Sequence, residues 1–92
     1  MYLISYDISN DKRRRKIAKT IENYGKRVQY SVFECDLEKD RMKELYAILA
    51  ENMKEDPDGS IRIYNICENC LKKVSIIGQV EETFEDEGVI II

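Results

Sequence analysis

Three groups of residues in this chain have the types and spacings that chemistry needs. The first is Asp7, which closes the short apolar run Met1-Tyr-Leu-Ile-Ser-Tyr-Asp7. In the alternation of a strand, Leu3, Ser5 and Asp7 share one face, and Tyr2, Ile4 and Tyr6 share the other. A carboxylate there has two readings. On spacing alone a helix cap or turn residue is favoured, because Asp before a helix is common. The chemical reading needs a second copy of the chain: two such carboxylates meeting near a two-fold axis require a cation or a proton between them. Mg²⁺ takes oxygen ligands, keeps several waters and often uses only one or two carboxylates. An ion so held can polarise a phosphodiester and generate hydroxide.

The second group is the basic block Lys12-Arg13-Arg14-Arg15-Lys16, with Lys19, Lys26 and Arg27 after it. On a helix, Lys12, Arg15, Lys16 and Lys19 fall opposite the apolar stripe, while Arg13 and Arg14 fall nearer to it. No acid stands four residues on to pair these cations, and unpaired like charges destabilise a helix. A polyanion is the better explanation, and its phosphates would be met without regard to base sequence. Lys12, Arg13, Arg14, Arg15, Lys16 and Lys19 are therefore the candidate nucleic-acid-binding residues. The third group is Cys67-Glu-Asn-Cys70, half of a zinc site or a redox pair. The chain has no histidine and three cysteines. With Cys35 the sole other thiol, the expectation is a buried structural pair at a strand end, behaving as small apolar residues.

Composition narrows the setting. The absence of histidine removes Ser-His-Asp and Cys-His catalysis and every His-ligated metal. Hydrophobic residues make up 43% of the chain, far above a disordered composition, so it folds. Its 92 residues make one domain, one small enough to gain from pairing. The net charge of −3 hides an asymmetry: residues 1–30 carry eight basic and three acidic side chains, and the remainder carry seven and fifteen. Phosphates respond to the local field and not to this average. Three cysteines are too few and too odd in number for a secreted disulfide scaffold. No apolar run approaches the roughly 18–20 residues of a membrane span, and the N-terminus lacks a signal-peptide pattern. A reduced, cytoplasmic protein without a membrane partner is the expectation.

The elements that must position these residues follow from periodicity. A strand over Met1–Asp7 precedes the N-cap candidates Ser9-Asn10-Asp11. Ile17, Ile21 and Tyr24 stand at i, i+4 and i+7 and predict a helix, with Gly25 as its C-cap. Lys26 to Leu37 alternates as two strands or one bent one. Met42, Leu45, Tyr46, Leu49 and Met53 form an apolar stripe on a second helix over Lys39–Met53. Asp56-Pro57-Asp58-Gly59 signals a turn. A strand over Ser60–Cys67 then puts Ile61 and Ile63 on one face and Arg62, Tyr64 and Ile66 on the other. A short strand over Val74–Val80 and an acidic stretch lead to the apolar end Val89-Ile-Ile-Ile92. The order β-α-β-β-α-β predicts an α+β, ferredoxin-like sandwich with two helices on one face of an antiparallel sheet. Leu3, Tyr64 and Ile66 are candidates to line the bare face, a surface suited to a second copy.

Several stretches carry a family resemblance. They are the opening strand ending Tyr6-Asp7-Ile8, the basic helix ending Tyr24-Gly25, the segment Val28-Gln29-Tyr30-Ser31-Val32-Phe33-Glu34, and Ser60-Ile61-Arg62-Ile63-Tyr64. Together they resemble the small CRISPR-associated Cas2 family over essentially the whole chain. The resemblance implies a homodimer of ferredoxin-like domains (residues 1–80) with an extra C-terminal strand in an extension (residues 81–92) that packs on the partner. It implies a role in acquiring CRISPR spacers, in which the dimer joins Cas1 integrase subunits and holds duplex DNA. Family members are described as Mg²⁺-dependent endonucleases acting on RNA or DNA, with the aspartate ending the first strand, here Asp7, as metal ligand and catalytic residue. Spacer integration does not depend on that activity. Two alternatives share the fold: a toxin-type ribonuclease and a non-enzymatic RNA-binding domain. The second expects a Lys/Arg-Gly-aromatic motif, and Lys26-Arg27-Val28-Gln29-Tyr30 lacks both the glycine and a second aromatic.

Overall fold

The computed structural model describes residues 1–78 and the pair Ile90–Ile91. Among the described residues the elements follow one another as β1 (Tyr2–Asp7), α1 (Asp11–Glu22), β2 (Lys26–Gln29), β3 (Val32–Cys35), α2 (Lys39–Met53), β4 (Ser60–Asn65), α3 (Glu68–Leu71), β5 (Ser75–Ile76) and β6 (Ile90–Ile91). The first four strands form one antiparallel sheet in the order β2-β3-β1-β4. α1 joins β1 to β2 across β3, and α2 joins β3 to β4 across β1. Each βαβ unit is thus split by a strand of the other, which is the ferredoxin-like topology read from the sequence.

The strand alternation decides which face the helices cover. Ile4 and Tyr6 of β1 and Phe33 and Cys35 of β3 are buried against Ile17, Ala18 and Ile21 of α1 and Met42, Leu45 and Leu49 of α2. Ile61 and Ile63 of β4 pack on this core from the edge strand. Phe33 is fully buried, and truncating such a ring to alanine costs about 3–5 kcal/mol. On the opposite face the register sets Leu3 between Glu34 and Tyr64, and Ser5 between Val32 and Arg62. Leu3 is half-buried and Tyr64 is 45% exposed, both on the bare face as expected. Ile66 lies just beyond β4, where its N–H donates to the Met1 carbonyl at 2.8 Å.

Several details differ from the sequence reading. Gly25 is not a left-handed cap: among the described residues only Gly78 has a positive φ. α1 ends at Glu22 with Asn23 as C-cap, and the Tyr24 and Gly25 N–H groups donate to the Ile21 carbonyl at 2.8 and 3.0 Å. Glycine is needed at 25 for space, because a Cβ there would strike the Cys35 Sγ and lie 2.5 Å from the Glu34 carbonyl oxygen. Tyr46 is 61% exposed rather than part of the core stripe. It borders a 290 Å³ apolar notch with Met53, Ile61 and Ile63, where the sheet ends at its edge strand and has no further side chains to cover the ring.

The fourth strand stops at Asn65, two residues early, because the chain turns into the unanticipated helix α3. Of the strand expected over Val74–Val80, the described residues form Ser75–Ile76, which pairs in parallel with Ile90–Ile91, and residues 79 and 80 lie outside the described residues. Of the expected C-terminal extension (residues 81–92), only those two residues are described; the rest of that expectation lies outside the described residues.

Candidate nucleic-acid interface

Local chemistry explains why α1 begins where it does. Asn10 has extended backbone angles, and its Oδ1 accepts from the Arg13 N–H at 2.8 Å. That is the N-cap bond, so Asn10 is the cap and Asp7 is not. Asp7 ends β1 opposite Ser60 and is exposed, and its carboxylate has no hydrogen bond or ion pair among the described residues. The helix-cap reading of Asp7 is therefore overturned by a residue three positions later.

Two cations of the basic block are spoken for, which corrects the expectation that none has a partner. Arg13 reaches Glu55, in the turn just past the end of α2, at 3.5 Å. Arg14 pairs with Asp11, one turn back, and donates to the Ile8 and Ser9 carbonyls at 3.2 and 3.3 Å. The bond to Asp11 holds the Arg14 proton more firmly than usual. Arg14 thereby straps the β1–α1 loop, the segment that follows Asp7. Lys12, Arg15, Lys16 and Lys19 are exposed and have no ion-pair partner among the described residues.

These side chains meet the β2–β3 hairpin across a groove of about 700 Å³. Its lining holds six cations, Lys12, Arg14, Arg15, Lys16, Lys19 and Arg27, against one carboxylate, Glu22. The floor is tied together by hydrogen bonds. Arg27 Nη2 donates to the Tyr6 hydroxyl at 3.1 Å, and that hydroxyl donates to the Tyr30 carbonyl at 3.4 Å. The Arg27 guanidinium also lies over the Phe33 ring, 5.2 Å from its centroid. Tyr30 stands at the rim, 71% exposed, with the Arg14 guanidinium 6.0 Å from its ring centre. A cation-lined trough of this kind attracts phosphates, because its field is local and the net −3 charge is spread elsewhere. α1 has 12 residues, about 18 Å of helix, long enough to run beside about five phosphates of one DNA strand.

The structure gathers five of the six expected nucleic-acid residues into this groove; Arg13 is turned toward α2 instead. It adds Arg27, Tyr6 and Tyr30, which sequence reasoning did not place there. Arg27 was visible as a cation, but its side of the hairpin depends on a β-bulge between Arg27 and Gln29, and a bulge leaves no signal in composition. Asp7 is not among the groove's lining residues. Strand alternation puts it on the opposite sheet face from Tyr6, so the carboxylate and the cations are two sites.

The donor set around Asp7 limits what metal it can hold. Among the described residues no group of three or more His, Cys, Asp or Glu side chains gathers. One chain offers one free carboxylate, so a Mg²⁺ site with one or two carboxylates and several waters fits here when a second copy brings its own. The Cys67–Cys70 pair is exposed rather than buried, and only Cys35 lies in the core. Among the described residues no helix is long and apolar enough to cross a membrane.

Comparison with known proteins places the chain in a family. The family model of CRISPR associated protein Cas2 matches residues 1–74. The chain is 47% identical over 91 residues to the CRISPR-associated endoribonuclease Cas2 1 of Chloroflexus aurantiacus, covering 97% of this chain and 98% of that protein. The crystal structure of Streptococcus pyogenes Cas2 superposes with a TM-score of 0.70 at 33% identity, covering 84% of this chain and 98% of that one. A Cas2-containing structure described as a partial Cas6-RT-Cas1--Cas2 complex superposes with a TM-score of 0.69 at 36% identity, covering 77% of each chain. By fold, by length and by the family match over most of its residues, the chain belongs to the CRISPR-associated protein Cas2 family.

Proposed function

We propose that this chain acts as a homodimer that holds duplex DNA along the α1–hairpin groove and joins Cas1 integrase subunits during spacer acquisition. The observation that carries the reading is the groove itself: six cationic side chains against one carboxylate, four of them on α1 with no internal ion pair. Residues kept free of partners in a chain of net negative charge are poised for an external polyanion. The structural likeness to a Cas1–Cas2 complex supports the integrase partnership. The bare sheet face, with Leu3 and Tyr64, supports pairing with a second copy.

Purified chain, Cas1 partner and duplex DNA, run together by size exclusion, test this reading. A ternary complex that Arg15→Glu with Lys16→Glu abolishes is expected. A complex that forms equally with the double variant would move the DNA path onto the partner.

A second activity rests on Asp7, supported by its exposure, its freedom from any capping role and the endoribonuclease name of the Chloroflexus relative. Mg²⁺ held by the Asp7 carboxylates of both copies would supply an activated water and polarisation of a phosphodiester of RNA or DNA. The chain's own part is to present each carboxylate on a rigid strand end, with Arg14 fixing the loop behind it. Because Asp7 and the groove lie on different faces, DNA holding does not depend on the carboxylate. Mg²⁺-dependent cleavage by the parent, lost in Asp7→Ala with DNA retention intact, is the expected pair of results.

A further inference from the structure

The turn by which the chain leaves the sheet carries chemistry that nucleic-acid binding does not use. Ile66 is fastened back to Met1, and the next residues wind into α3 with Cys67 as N-cap. The Cys67 Sγ accepts from the Cys70 N–H at 3.4 Å, so the first sulfur is folded back over the second cysteine. Both thiols are exposed, while Cys35 is shut in the core. Bridged cysteines have Cβ atoms about 3.5–4.5 Å apart, closer than the about 5–6 Å of neighbours one helical turn apart. The Cys67 Sγ already lies 3.4 Å from the Cys70 nitrogen, so closure asks for rotation of the Cys70 side chain and a tightening of this single turn by about 1–2 Å.

The two thiols are also unlike each other. Hydrogen bonds from Cys70 push the Cys67 thiol down from its ordinary value. The bond to Cys67 and its charge push the Cys70 thiol up. That division suits an attacking and a resolving sulfur. A metal is the poorer ligand, since no third donor joins the pair among the described residues.

We propose that Cys67 and Cys70 form a reversible intramolecular disulfide by exchange with small-molecule disulfides, Cys67 attacking and Cys70 resolving. The Cys67 thiolate attacks one sulfur of the disulfide, forming a mixed disulfide and expelling a thiolate that takes a proton from water. Cys70 gives its proton to water and attacks the Cys67 sulfur, expelling the second thiolate. The protein dithiol is oxidised by two electrons, and the small disulfide is reduced to two thiols. The bond staples residues 67–70, the first turn of the chain between β4 and β5.

The test uses the full chain with oxidised glutathione, quenched in acid, denatured, alkylated and weighed. The parent is expected to lose two hydrogens and two of its three alkylatable thiols, all regained on treatment with dithiothreitol. Cys70→Ser should stop at a single glutathione adduct, mapped to Cys67. Cys67→Ser should take its adduct at Cys70 several-fold more slowly. Equal rates in the two single variants would overturn the division of roles. Persistent adducts without closure, bonds formed only between chains, or stoichiometric zinc in the protein as isolated would overturn the switch.

Discussion

Replacing Asp7 and Asn10 one at a time separates a chemical residue from a structural one. Asn10 caps α1 through its bond to the Arg13 N–H at 2.8 Å, and losing such a cap costs about 1 kcal/mol. The Asp7 side chain is exposed, has no hydrogen-bond partner among the described residues and precedes the cap by three residues, beyond the turn in which the helix dipole acts. Its loss should stay within about 0.5 kcal/mol. With a urea slope of about 1.5 kcal/mol/M, Asn10→Ala should lower the midpoint by roughly 0.7 M and Asp7→Ala by less than roughly 0.3 M. If the Asp7 carboxylates of two copies face each other, their repulsion vanishes in Asp7→Ala, and the dimer is as stable as the parent or more so. Urea midpoints at one fixed protein concentration, measured beside a nuclease assay on the same proteins, make the comparison. A fall of roughly 0.7 M in Asp7→Ala that Asp7→Asn restores would show a cap-like role and refute the reasoning. Cleavage that persists in Asp7→Ala would remove the residue from the chemistry.

Other consequences follow from the packing. Gly25→Ala must displace the Cys35 Sγ and the Glu34 carbonyl, an overpacking that should cost about 1–3 kcal/mol in denaturant unfolding. Burial pushes the Cys35 thiol up to about 11. Because the unfolded thiol ionises near about 8.5, the unfolded state releases its proton first. This contribution to stability is present in full below that pH and is lost as the pH climbs through about 11; Cys35→Ala should flatten that loss. Cys67→Ser with Cys70→Ser touches only exposed side chains, so its unfolding free energy should match the parent's within about 0.5 kcal/mol, with DNA retention unchanged.

Local signals were read correctly and long-range ones were not. The second helix runs over Lys39–Met53 as its periodicity predicted, and the alternation of Tyr2, Ile4 and Tyr6 found the buried face of β1. Both depend on spacing within a few residues. Gly25 was visible as a helix-ending glycine, but its reason, the Cys35 sulfur across the hairpin, lies ten residues away. Arg14 has no acid at i+4; its partner Asp11 sits at i−3, and its carbonyl partners leave no mark on side-chain pattern. Cys67-x-x-Cys70 was placed at a strand end, yet the chain turns into α3 just there and exposes both sulfurs. The basic block announced a nucleic-acid site, but the groove exists only because folding brings Arg27 and Tyr30 against α1.

The salt dependence of duplex DNA binding tests the central claim most directly. Each phosphate neutralised by the protein contributes about 0.9 to the slope of log affinity against log salt. Arg15→Gln with Lys16→Gln removes two of the groove's cations without adding repulsion and leaves the fold untouched, since both are exposed and unpaired. The account predicts a slope shallower than the parent's by about 1.8, with affinity reduced at low salt. A slope equal to the parent's would place the DNA away from the α1–hairpin groove and contradict the account.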